Sequence, residues 1–278
     1  MRKIAVETKR CILSGYFVIS VLLTIVVCMT GSCMVEGGTD EIFSLFFQMN
    51  RQEMLQDPYC NAYELWCRGI GKWMYVLMPF VLGMSYTVNA DGEKRMGNAR
   101  FFLVREGRKG YCFSRMVSCM VSGGVCMVIG YAVFGVLVAM RFPLPSAYET
   151  TMLQEYMDLA GVYDFRIEII KRIFGAFFYG MASNIFVYIS SVLFMDKYVL
   201  MSFPMMAAYI YNGIINQLES WCMSSEMEKP LKALQMAGFD TIINGRSLLL
   251  KGISFLYILI IYITVYKIYC VKINKDGE

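Results

Sequence analysis

Reactive side chains are scarce in this chain, and the missing kinds are as informative as those present. There is no histidine and there are ten cysteines. Without histidine there is no imidazole base, no imidazole metal ligand and no Ser-His or Cys-His nucleophile pair. Cys112, Cys119 and Cys126 recur every seven residues, and Cys11, Cys28 and Cys270 lie in or beside apolar runs. Cysteine in such surroundings behaves as a small apolar side chain. Cys33, Cys60, Cys67 and Cys222 fall in more polar segments, where a disulfide is chemically open, and Cys60 with Cys67 is the candidate pair. No CxxC pair or zinc-ligand spacing occurs. The residues therefore point to no catalytic set and no metal site.

The other candidate chemistry is neutral. Ser183, Asn184, Ser190 and Ser191 interrupt one apolar run, and Tyr209, Tyr211, Asn212, Asn216 and Gln217 interrupt the next. Asn212 and Asn216 are four residues apart, which puts them on one helix face. One reading is hydrogen bonding between helices in lipid. The other is that Asn184, Tyr209, Asn212, Asn216 and Gln217 line a path for an amphiphilic substrate toward the outer leaflet. No acid lies between the ends of the apolar spans, and only Lys251 and Lys267 stand near such ends. A mid-span charge costs on the order of 3 kcal/mol and is kept where it works. Its absence argues against proton- or sodium-coupled transport and against an intramembrane protease.

The elements that must position these residues follow from composition. The chain of 278 residues is 57% hydrophobic and 17% charged, with a mean hydropathy of +0.50. Globular chains carry about 25% charged residues. The expected fold is an all-α membrane protein forming a single domain over 1–278. Its six expected transmembrane helices lie at about 11–30, 73–90, 116–140, 173–195, 198–218 and 247–269. A span needs about 20 apolar residues to cross about 30 Å of hydrocarbon. Pro79 is expected to kink the second span, and Ser118, Ser122, Gly123, Gly124, Gly130 and Gly135 to bring the third close to its neighbours. Asp196 and Lys197 form the turn of a tight hairpin between spans four and five, and EMEKPLKALQMAGF is an amphipathic outer piece too polar to span.

Charge orients the chain. Segments 1–10, 91–115, 196–197 and 267–278 hold 15 basic and 7 acidic residues, whereas 31–72, 141–172 and 219–251 hold 11 basic and 15 acidic. Basic residues concentrate on the cytoplasmic side of membrane proteins, so both termini are expected inside. The densest inner segment is Asp91 to Arg115, with seven Lys or Arg among 25 residues and with Met96, Ala99, Phe102 and Leu103 spaced for one face of a short helix.

That segment, between spans two and three, resembles the corresponding loop of ABC-2 type permeases, the membrane subunits of ABC exporters. The matching positions are Glu93, Gly97, Asn98, Phe102, Leu103, Lys109 and Arg115, with Asn98 where the family often has Thr and no proline near Glu106. The number of spans, the basic amphipathic start and the outer amphipathic piece match as well. The resemblance implies a coupling helix over Glu93 to Leu103 that docks on a cytoplasmic ABC ATPase subunit. Phe102 and Leu103 would be its apolar anchors, with Arg95, Arg100 and Arg105 as charged contacts. Met1 to Arg10 would be an interfacial helix. It also implies a second permease, as homo- or heterodimer, in a bacterial plasma membrane. No GxxxxGK[ST] loop is present, so ATP and Mg belong to the partner, with no cofactor expected on this chain and no nucleic acid. The rival expectation is an accessory or sensory multi-pass protein whose basic loop binds another cytoplasmic partner.

Overall fold

The structure, a computed structural model, describes residues 2–35, 38–49, 60–71, 73–95, 98–144, 165–194, 196–224, 238–239, 242 and 248–275. Helix α1 (Arg2–Ile12) ends where Ser14 turns extended (φ −78°, ψ 146°), and its Oγ accepts from Phe17 N at 3.2 Å, capping α2 (Gly15–Met29). The two helices meet at 62°. The expected span over 11–30 is thus not one helix: the serine cap divides it, and α2 alone rises about 22 Å.

Strands β1 (Ser32–Val35) and β2 (Gly38–Glu41) form an antiparallel hairpin with Ser32 opposite Glu41, a small departure from an all-helical chain. Two short helices follow, α3 (Ile42–Gln48) and α4 (Ala62–Arg68). Then come α5 (Met74–Arg95), which contains Pro79, and α6 (Asn98–Arg141). Helices α7 (Phe165–Ser183) and α8 (Ile185–Leu193) are separated at Asn184, and α9 (Lys197–Ser224) and α10 (Leu248–Lys275) complete the chain.

Among the described residues, four stretches are long and apolar enough to cross a membrane: Gly107–Arg141, Ile169–Leu193, Tyr198–Ser224 and Lys251–Lys272, with a fifth if the bent α1–α2 pair counts as one. The protein is therefore a helical, multi-pass membrane protein by length and composition. Helix α5 is long enough at 22 residues but is not among the stretches that meet the apolarity requirement. The expected turn at Asp196–Lys197 is seen as a cap: Asp196 Oδ1 accepts from Tyr198 N at 2.7 Å and Val199 N at 3.3 Å. The helices it joins start and stop elsewhere than expected. α7 begins at Phe165 rather than 173, and Arg172 in the added turns is covered, its guanidinium 5.7 Å from the Tyr63 ring centre.

Helix α6 is the hub. Its glycines let neighbours approach as the small residues suggested. A Cβ on Gly123 would overlap Asn184 Nδ2, one on Gly124 would lie 2.8 Å from Phe177, and one on Gly135 2.7 Å from Trp66 Nε1. Toward the C-terminal end of α6, α4 is tied to it by a reciprocal pair. Trp66 Nε1 donates to the Tyr131 carbonyl and Tyr131 OH donates to the Trp66 carbonyl, both at 3.1 Å, with the rings stacked at 4.8 Å. Arg141 caps α3 by donating to the carbonyls of Phe46 (3.3 Å) and Met49 (3.0 Å). Helices α9 and α10 are peripheral, with 17% of each spanning window buried against 72% for Ile169–Leu193.

Gly123→Ala should lower stability by about 1–3 kcal/mol, the usual cost of overpacking. Gly213→Ala, with nothing within 4 Å of the new Cβ, should change it by no more than about 0.5 kcal/mol. Thermal unfolding of the two variants in detergent checks the difference.

Candidate functional site

The basic segment is divided by one residue. Asp91, Glu93 and Arg95 occupy the last turns of α5, while Met96 and Gly97 lie outside the described residues. Asn98, Arg100, Phe102, Leu103 and Arg105 lie on the first turns of α6, and for these, as for Glu93 and Arg95, only the helical backbone is described. Gly107 then takes φ 72°, ψ 155°, breaking the helix before the span. Only glycine adopts such angles at little cost. Residues 98–106 are therefore a short helix set off from the long one. Val104 on it is 89% exposed, an apolar side chain left uncovered by the rest of the chain. Val104 and Gly107 are not among the sequence candidates, and the available signal is only the glycine itself, flanked by Glu106 and Arg108.

Helix α1 lies against the N-terminal part of the long stretch of this hub. Thr8 Oγ1 donates to Ser118 Oγ and Ser118 Oγ donates to Glu7 Oε2, each at 3.4 Å. Arg115 is 6% exposed and its guanidinium sits 5.2 Å from the Tyr111 ring centre. A cavity of about 20 Å3 is lined by Glu7, Arg10, Tyr86, Asn89, Arg115 and Ser118, so α1, α5 and α6 meet in a polar junction. Arg115, matched to the start of the third span in sequence, proves to be an internal side chain of that junction rather than a surface charge.

The five residues considered for a substrate path occupy three different surroundings. Asn184 is fully buried at the α7–α8 break, where Nδ2 donates to the Cys119 carbonyl (2.8 Å) and Cys119 Sγ donates back to the Asn184 carbonyl (3.6 Å). Asn212 is half-buried and donates to the Tyr75 carbonyl at 3.1 Å. Tyr209, Asn216 and Gln217 are exposed on α9. Asn184 thus makes the interhelical hydrogen bond that lipid favours, and so does Asn212. The expected amphipathic piece ending at Phe239 lies outside the described residues except for its last two. Phe239 itself is buried, with ring centres 5.4 Å from Tyr211, 5.7 Å from Phe186 and 6.3 Å from Tyr179. An aromatic cluster therefore stands beside Asn212, built partly by a residue from a polar segment.

Cys60 and Cys67 correct the disulfide expectation. All ten cysteines are thiols. Asn61 caps α4 by accepting from Glu64 N at 2.8 Å, so Cys60 precedes the helix and Cys67 lies in its last turn. Cys60 Sγ instead lies 3.8 Å from Met49 Sδ. No cluster of three or more His, Cys, Asp or Glu placed to hold a metal occurs among the described residues.

Comparison of the chain with protein-family models, with curated proteins and with solved structures finds no match. Class membership therefore rests on the fold: a multi-pass helical membrane protein with a basic helix set off by a glycine at the N-terminal end of its hub helix.

Alkylation in denaturant without reductant should add ten groups to the chain, one per cysteine, when intact mass is measured. Eight would restore the Cys60–Cys67 bridge.

Proposed function

We propose that the chain is the permease subunit of an ATP-driven exporter of ABC-2 type, moving an amphiphilic peptide or lipid-like substrate while a separate cytoplasmic ATPase hydrolyses MgATP. On this reading α2, α5, α6, the α7–α8 pair, α9 and α10 are six passes with both termini inside a bacterial plasma membrane. The chain itself is not an enzyme. The observation that carries the reading is the short helix 98–106, separated from the span by Gly107 and exposing Val104. A helix with an uncovered apolar side chain and basic neighbours is suited to a groove on a cytoplasmic partner. Glu93, Arg95, Gly97, Asn98, Arg100, Phe102, Leu103 and Arg105 are the residues assigned to that contact. A second permease completes the assembly. Asn216 and Gln217 are exposed on α9 among Met206, Tyr209, Ile214 and Trp221, and an amide facing hydrocarbon is costly unless another chain satisfies it.

A second reading, an accessory or sensory subunit whose helix 98–106 binds a different cytoplasmic protein, is favoured by one finding. The five path residues do not converge on a common lining. Co-purification from the native host separates the two. The first reading requires an ATPase without a membrane domain among the bound proteins.

Phe102→Asp with Leu103→Asp should weaken ATPase retention at least tenfold, since each buried apolar anchor is worth about 1.5–3 kcal/mol. Membrane insertion should be unchanged. Pull-down from solubilised membranes measures this, and full retention would remove the docking assignment.

A further inference from the structure

Helix α1 has a second face. Ile4, Ala5, Thr8, Lys9 and Ile12 recur at helical spacing, apart from Glu7, Arg10 and Cys11, which line the small polar cavity. Together with Leu13 and with Val121 of α6 they bound an open groove of about 490 Å3, within the usual range of about 300–1,000 Å3 for ligand sites. Its wall is carbon apart from the Thr8 hydroxyl, which donates to Ser118, and Lys9 at the rim.

The groove lies at a defined depth. Val121 precedes Arg141, the last residue of α6, by 20 residues, about 30 Å of helix and so about one hydrocarbon thickness. Counted back from Arg141, Val121 lies near the other edge of the hydrocarbon. Water has too few polar partners there to fill an apolar groove. Acyl chains are the solvent at that level. The adjoining helix is basic: residues 1–10 hold four Lys or Arg against Glu7 alone. Basic amphipathic helices at this depth attract anionic headgroups.

We propose that the groove between α1 and Val121 binds one acyl chain of an anionic phospholipid, whose phosphate pairs with Lys9. Glu7 and Thr8 both contact Ser118 and hold α1 against α6, so the site is formed before lipid arrives. The lipid fills the angle between α1 and α6 and keeps α1 in the membrane surface. The assignment is independent of the exporter reading, because it uses only the membrane depth and chemistry of α1.

The full chain, purified in detergent, is incubated with phosphatidylglycerol, with phosphatidylcholine of the same chains, or with glycerol 3-phosphate, and bound lipid is counted by native mass spectrometry. Phosphatidylglycerol should be retained about fivefold better than phosphatidylcholine, the factor expected for one basic residue near the surface. Lys9→Glu should abolish that preference while leaving chain uptake. Ala5→Trp, at an exposed position on the groove face of α1, should remove the retained lipid altogether. Val121→Phe, from the opposite wall, should do the same if the first variant folds poorly. Equal retention of the two lipids, competition by glycerol 3-phosphate at the lipid's own concentration, or undiminished retention by both groove-filling variants would each overturn the assignment.

Discussion

The contact between Gly123 of α6 and the Gly180–Asn184 turn of the α7–α8 pair sets the geometry of the rest. Lipid supplies no hydrophobic force between helices, so association depends on close packing and on hydrogen bonds that cross the gap. Both occur at this point. The missing side chains of Gly123 and Gly180 bring the backbones together, and Asn184 reaches the Cys119 carbonyl across the seam. Asn184 Oδ1 has no hydrogen-bond partner among the described residues, so the bond to Cys119 is made at the expense of one buried acceptor. Substitution at either glycine acts on the whole bundle because α8 leads directly into the capped turn at Asp196 and hence into α9.

The two ends of α6 are held differently. Toward its C-terminal end, Trp66, Tyr131, Gly135 and Arg141 join it to α3 and α4 with stacked rings and direct hydrogen bonds to carbonyls. Toward its N-terminal end, the contacts are long hydroxyl and carboxylate bonds around Ser118, and the helix breaks at Gly107. The first end is dense and apolar, the second polar and jointed. Lys272 adds a further tie by donating to the carbonyls of Val192 (2.9 Å) and Leu193 (3.4 Å) at the end of α8.

Much of the helical framework was legible in the sequence, because long apolar runs and small residues report directly on burial in lipid. The close approach at Gly123 and Gly124 and the hairpin at Asp196 follow from residue type alone. The break at Ser14 was not legible from apolarity, since a hydroxyl that caps a helix is indistinguishable by hydropathy from one that faces a neighbour. Polar-looking segments misled in the same way. Residues 31–72 contain a strand hairpin and two helices whose apolar residues, Ile42, Leu45, Leu65 and Trp66, bury against α6 and its surroundings. Phe239 likewise leaves a polar piece to enter an aromatic cluster. Of the candidate site, the basic helix could be placed but its joint could not, because a positive φ at Gly107 leaves no mark beyond the glycine itself.

The reciprocal bond between Trp66 and Tyr131 has a consequence for how the protein is made. Its partners are 65 residues apart in the chain. At synthesis rates of about 5–20 residues per second, Tyr131 emerges roughly 3–13 s after Trp66. During that interval the apolar residues of α3 and α4 lack the α6 surface they will cover, and they are open to chaperones or misassembly until that helix arrives.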